Sequence, residues 1–276
     1  MTPNRVYVAD SLNNRILGFK DVRSIGADLR SAQTTEPDII IGQPDKRKTG
    51  PNYPAYDDLV PSDQGLSRPS GLTVDSQGNL WVADTFNGRI LRFPTPFNQP
   101  AGTVPRANLV LGQANFTFTV PDASSSTMAR PGGVVVFNNG DVAASDLAHN
   151  RVLLFHKTGA DFTNGQPARA VLGQQTFFST GASSTSSGLN TPRGMAVDTG
   201  DRLYVADSGN NRVLVYPSTG NTPNGASGIV IPGGALPESV AVSGATGEIF
   251  IAALNDGRIS RSANFHSWAR LHSRSR

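Results

Sequence analysis

Short apolar runs, each closed by a polar turn and followed by a second run, recur along the whole chain. The first runs are Val6-Tyr7-Val8-Ala9, Leu80-Trp81-Val82-Ala83, Leu203-Tyr204-Val205-Ala206 and Ile249-Phe250-Ile251-Ala252. Each is apolar on both faces, which predicts a strand sandwiched between two layers. The turns that follow are Asp10-Ser11-Leu12-Asn13-Asn14, Asp84-Thr85-Phe86-Asn87-Gly88, Asp146-Leu147-Ala148-His149-Asn150 and Asp207-Ser208-Gly209-Asn210-Asn211. Asp, Ser, Asn and Gly accept left-handed backbone or bond their own chain, so these segments predict tight turns. A second strand starts at Arg15, Arg89, Arg151 or Arg212 and ends on Phe19, Phe93, Phe155 or Tyr216. A degraded copy, Ala252-Ala253-Leu254-Asn255-Asp256-Gly257-Arg258-Ile259, has Ala253 in the aspartate's place.

Two further phrases flank these hairpins. Upstream stand Arg68-Pro69-Ser70-Gly71-Leu72-Thr73-Val74-Asp75, Arg130-Pro131-Gly132-Gly133-Val134, Pro192-Arg193-Gly194-Met195-Ala196-Val197-Asp198 and Pro237-Glu238-Ser239-Val240. Proline opens a strand but does not sit centrally in one. The small residues after it predict an innermost strand, where repeats converge. Downstream come Ile39-Ile40-Ile41-Gly42-Gln43, Leu109-Val110-Leu111-Gly112-Gln113, Ala170-Val171-Leu172-Gly173-Gln174 and, weakly, Ile229-Val230-Ile231-Pro232. The unit is therefore four antiparallel strands, and a four-stranded unit repeated radially is a propeller blade. The expected fold is all-β, a β-propeller of about five four-stranded blades with the first and last incomplete. It occupies residues 1–261, followed by a basic non-repeat tail at 262–276.

The phrases Pro-x-Gly-x-x-Val-Asp, Gly-x-Leu-x-Val-Ala-Asp and Asn-x-Arg-[Ile/Val] resemble NHL-repeat propellers over nearly everything from Val6 to about Arg261. The resemblance is specific for fold and not for function. Such rings typically have six blades, whereas this chain opens at the second strand of its first blade and closes on a segment unlike any repeat. We expect a fragment of a longer protein whose open blade edges invite self-association.

Composition narrows the function classes. The absence of cysteine excludes disulfides, thiolate zinc sites and cysteine nucleophiles. No apolar run approaches a membrane span. The formal charge of +3 belongs to the tail, because residues 1–260 sum to −1. A near-neutral body argues against a nucleic-acid partner, which needs clustered phosphate contacts. The low charge and the Ser/Thr/Asn/Gly loops resemble secreted bacterial NHL-repeat proteins. An extracytoplasmic site is expected if the full-length parent carries a signal peptide; none is visible here.

The recurring pairs Asp10/Arg15, Asp84/Arg89, Asp146/Arg151 and Asp207/Arg212 mimic a catalytic pattern, but a residue repeated in every blade answers a demand every blade shares. The aspartates are expected to cap their turns by accepting backbone N–H bonds, and the arginines to stitch neighbouring turns or blades. The Gly-Gln phrase should bond across to a loop, and Asp75 and Asp198 should form the turns after the inner strands. Function is expected where the blades differ. The variable position after the inner-strand proline is Ser70, Gly132, Arg193 or Glu238, with Arg68 and Arg130 just before the proline. We take Arg68, Ser70, Arg130, Arg193 and Glu238, at the channel mouth and on the loop face, as the candidate binding residues. The face also carries the connections at 43–68, 113–130 and 174–191; the one at 233–236 is short. Loops on a rigid scaffold favour binding.

Related propellers include lyases and lactonase-like hydrolases that hold metals around the channel. Here His149 and His156 lie about seven residues of strand apart, roughly 23 Å, too far to share an ion. His266 and His272 belong to the tail, and Glu238 is the lone carboxylate at the inner rim. No catalytic residue, metal or cofactor is expected. The expected role is a non-catalytic binding or scaffolding module for a protein, peptide or glycan. The alternatives are a lyase or lactonase-like hydrolase with a metal site at the channel mouth, and RNA binding on the loop face.

Overall fold

A computed structural model of the chain describes residues 5–21, 36–100, 102–217 and 222–265. It is an all-β propeller of five antiparallel sheets. Blade one is β1 (Val6–Asp10), β2 (Arg15–Phe19) and β3 (Ile39–Ile41). Blade two is β4 (Pro69–Val74), β5 (Leu80–Asp84), β6 (Arg89–Phe93) and β7 (Leu109–Leu111). Blade three is β8 (Pro131–Val136), β9 (Val142–Asp146), β10 (Arg151–Phe155) and β11 (Ala170–Leu172). Blade four is β12 (Pro192–Val197), β13 (Leu203–Asp207), β14 (Arg212–Tyr216) and β15 (Ile229–Pro232). Blade five is β16 (Pro237–Val242), β17 (Ile249–Ala253) and β18 (Arg258–Ser262). The terminal blades are the incomplete ones: among the described residues, blade one has no inner strand and blade five no outer one. The tail from residue 266 onward lies outside the described residues. No helix among them is long and apolar enough to cross a membrane.

The hairpins pair in register, with Asp84 opposite Arg89, Asp146 opposite Arg151 and Asp207 opposite Arg212. Each inner strand slips register just after its proline, between Pro69 and Leu72, Pro131 and Gly133, Pro192 and Met195, and Pro237 and Ser239. A bulge is where a sheet tolerates the missing N–H. The inner strands converge as their small residues predict. A Cβ on Gly71 would stand 2.6 Å from the Gly133 Cα, and one on Gly133 would stand 2.8 Å from the Arg193 carbonyl oxygen.

Strands apolar on both faces are what stacked blades require. Leu80, Val82, Leu91 and Phe93 pack toward Ile16 and Ile41 of blade one, while Trp81, Ala83 and Ile90 pack toward Val142, Ala144 and Leu153 of blade three. The central strands of blades two, three and four are buried throughout. Among the described residues, the outer faces of the first and fifth blades lack that cover. Val8 is 45% exposed where its counterpart Val82 is fully buried, and Ile259 is 71% exposed where Ile90 is fully buried.

A side-chain bolt joins consecutive blades at three junctions. The hairpin turn ends on Asn14, Asn150 or Asn211, each in left-handed backbone with φ between 51° and 55°. Its Oδ1 accepts the N–H of the residue before the next inner-strand proline: Arg68, Thr191 or Leu236, each at 2.8 Å. Those three acceptor-bound residues are themselves left-handed. Gly88 replaces the asparagine at the remaining junction, where a Cβ would meet the Met128 carbonyl oxygen at 2.4 Å. There Arg130 takes no positive φ and instead donates its N–H to Asp146.

Asn150→Ala should lower stability by about 1–3 kcal/mol, since it orphans the Thr191 N–H and places a Cβ-bearing residue without a local bond at positive φ. Asn150→Gly should recover part of the loss, because glycine takes that backbone freely. Urea unfolding of the three proteins measures both.

Candidate loop-face binding site

All hairpin turns lie on one face with the connections that lead into the inner strands, and the aspartate–arginine pairs weld the two together. Asp84 Oδ1 accepts the Ser67 N–H at 2.7 Å, from the segment entering β4. Its Oδ2 accepts from Asn87 Nδ2 and Arg89 Nε, both at 2.7 Å. Arg89 then donates to the carbonyls of Ser62 and Gly65 in the connection before its blade, and of Phe116 in the connection after it. Asp146/Arg151 repeats the arrangement, and Asp207/Arg212 repeats it with the carbonyl partners Ser184, Thr185 and Gly188 all in the connection before its blade. The stitching expected of the arginines is present. The aspartates do not cap their own turns, however: none bonds a backbone N–H of the single-turn helix that follows it. Where they take a backbone N–H, it comes from the incoming connection, which closes the blade rather than the turn. In blade one, which has no inner strand to bring such a donor among the described residues, Asp10 binds only Asn13 and Arg15 side chains.

Gln43, Gln113 and Gln174 likewise bond connection and turn carbonyls, those of Asn14 and Gly50, Gly88 and Val120, and Asn150 and Gly181. Asp75 and Asp198 each accept two backbone N–H bonds in their turns. His149 stands in the place of Asn13, Asn87 and Asn210, and its Nδ1 meets Asp146 Oδ2 at 2.8 Å. His156 pairs with Asp141. Among the described residues no three of His, Asp and Glu are placed to hold a metal ion.

The structure divides four of the five candidate binding residues between two hollows and sets the fifth, Arg130, against the Phe86 ring beside the second. Ser70, Arg193 and Glu238 line a 370 Å³ cavity at the channel mouth with Thr85, Gly132 and Leu147. Its charges are internally matched, because Arg193 Nη1 lies 2.8 Å from Glu238 Oε2. Ser70 Oγ is bonded to Thr85 and to the Gly132 carbonyl. Arg68 instead borders a 720 Å³ groove that runs across blades one and two between Leu12, Leu59, Phe86 and Phe118. Arg68 and Arg130 stack on the same Phe86 ring, with guanidinium carbons 4.6 and 5.1 Å from its centroid.

The groove's apolar lining was absent from the sequence-derived site. Leu12 is 78% exposed, Leu59 88%, Phe118 49% and Phe86 44%, so side chains that normally drive burial stand open to water side by side. A signal for two of them is present in the repeats. Leu12 and Phe86 occupy the turn position held by Ala148 and Gly209 in later blades. A bulky apolar residue at a hairpin tip serves no demand of the turn itself.

A family model of the NHL repeat matches residues 66–93 and 189–216. The chain carries NHL repeats. Over 92 residues, a third of this NHL-repeat chain, it is 30% identical to peptidyl-alpha-hydroxyglycine alpha-amidating lyase 1 of Drosophila melanogaster. The match spans 15% of that protein's length. Among solved structures, 95% of the chain superposes on 64% of a putative 6-phosphogluconolactonase from Bacteroides uniformis, with a TM-score of 0.53 and 14% identity. The same share superposes on 67% of virginiamycin B lyase from Staphylococcus aureus, with a TM-score of 0.47 and 14% identity. At that identity the lactonase-like structure is a likeness of fold alone.

Removing the carboxylate from the fully buried pair, Asp84→Asn, leaves the Arg89 charge uncompensated and should cost about 3–5 kcal/mol. Asp10→Asn, in a pair that water reaches, should cost about 1 kcal/mol or less by urea unfolding. Stability should also depend on acid. Burial raises the Asp146 carboxyl, but the His149 bond, the Arg151 charge and the Arg130 N–H outweigh it and hold it below the ordinary range. Burial likewise raises Asp198, and the N–H groups and side chain of Arg202, the Tyr204 hydroxyl and the Gly200 N–H bring it below that range. Carboxyls depressed on folding stabilise above the unfolded value of about 3.9, and this is lost as pH falls through the lower folded value. Urea midpoints should hold from neutral pH to about 5 and fall below about 4. Asp198→Asn should make that fall shallower.

Proposed function

We propose that this propeller is a non-catalytic binding module that holds a peptide or protein segment in the groove across blades one and two. One observation carries the reading: Leu12, Leu59, Phe86 and Phe118 line a 720 Å³ groove while remaining substantially exposed. Contiguous exposed apolar side chains in a concave site mark an interaction surface. The welded turns and connections supply a rigid frame, so little backbone ordering is needed on binding. A lyase or lactonase-like activity is the second reading, favoured by the lyase among the relatives. Among the described residues no three of His, Asp and Glu are placed to hold a metal ion, and the channel-mouth glutamate is paired with Arg193, which gives that reading no metal-ligand set there.

The test is to pan a displayed library of random eight-residue peptides against the immobilised chain. Enriched peptides should bind at least about tenfold more weakly to the Leu59→Ser/Phe118→Ser double variant, whose changes are at exposed sites and leave the fold intact by circular dichroism. Absence of enrichment, or equal binding to the variant, would refute the groove as the site.

A further inference from the structure

We infer that Arg68 and Arg130, stacked on Phe86, make the groove selective for a peptide segment carrying an acidic side chain next to apolar ones. The inference rests on the groove reading and adds the chemistry of its occupant.

Position in the repeat separates these arginines from the structural ones. The residue before the inner-strand proline is Arg68, Arg130, Thr191 or Leu236. Arginine stands there only in blade two, which carries the Phe86 turn, and in blade three beside it, so no demand shared by every blade explains it. The two guanidinium carbons lie 4.6 and 5.1 Å from one ring centroid, which places them within about 10 Å of each other. Two like charges are thus gathered at one phenyl ring. Both side chains are exposed, and neither forms an ion pair with a carboxylate among the described residues, whereas Arg193 one blade further on has Glu238.

Stacking also sets what such a group can do. A guanidinium lying on a ring uses its flat face and keeps its N–H edge for a planar acceptor, and a carboxylate matches that edge with two parallel bonds. The left-handed backbone at Arg68, fixed by the Asn14 bolt, aims the chain at this spot. Asp58 also lines the groove, and an acidic side chain is disfavoured beside it. Leu12, Leu59 and Phe118 then take the apolar neighbours of that acidic residue.

Fluorescence anisotropy with labelled, N-acetylated and C-amidated Leu-Phe-Glu-Glu-Leu-Phe, and with its Gln-Gln counterpart, tests the assignment. The Glu peptide should bind the wild-type chain about fivefold tighter at about 0.15 M salt, the upper range for exposed charge pairs, and the margin should shrink as salt rises. Arg68→Gln and Arg130→Gln should each reduce the margin. Their combination should abolish it, so that the double variant binds the two peptides equally, whereas a purely structural role for the arginines would lower both affinities and keep the margin. Equal binding of the two peptides to the wild type, both lost in Leu59→Ser/Phe118→Ser, would overturn the acidic preference and leave the groove standing. A preference that survives the double arginine change would overturn it as well. So would a Gln peptide with a free C-terminus that binds as tightly as the Glu peptide, because the carboxylate read would then be a chain end. Failure of every peptide to bind would remove both readings.

Discussion

A charge buried in a β-hairpin must be answered by other buried groups, and in this propeller the answer builds the whole loop face. Asp84 and Arg89 are both withdrawn completely from water. The carboxylate can be kept there only by accepting bonds on both oxygens, and the guanidinium only by spending its donors on carbonyls. Those partners come from two long connections that have no regular structure of their own. The pair therefore converts irregular loops into fixed ones. Each repetition of the pair adds another fixed segment beside the last, and the exposed groove is a surface of this frame.

Much of the architecture was legible because it is periodic. Apolar runs, the proline opening each inner strand, the turn residues and the Gly-Gln endings all recur, and each recurrence corresponds to a strand or connection in the structure. The incompleteness of the end blades could be read the same way, from phrases that are missing. What was not legible is directional. The aspartates were expected to serve the turns they precede, yet they serve the connection on their other side. Local sequence shows which groups need partners, but only the three-dimensional path of the chain decides who supplies them. The asparagine bolt escaped notice for the same reason, since Asn14 and Arg68 are 54 residues apart.

The candidate site divides along a similar line. Searching where the repeats differ found Arg68 and Arg130, and it also gathered Ser70, Arg193 and Glu238, which the structure places in a separate cavity with its charges matched. The apolar half of the groove was harder to see. Leu59 and Phe118 belong to connections without a repeat frame for comparison, and their exposure emerges only once the frame has fixed those connections. Phe86 was visible as an anomaly within its turn, but its significance depends on two arginines from different blades converging on one ring.

The position of the groove across two blades has a thermodynamic consequence. In a repeat array, each unit draws its stability from the interfaces with its neighbours. The groove touches Leu12 on blade one and Phe86 on blade two. An occupant therefore acts as a splint across that interface. Its affinity and the opening of the interface are two readings of one linked equilibrium, so ligand concentration sets how far the two blades stay docked.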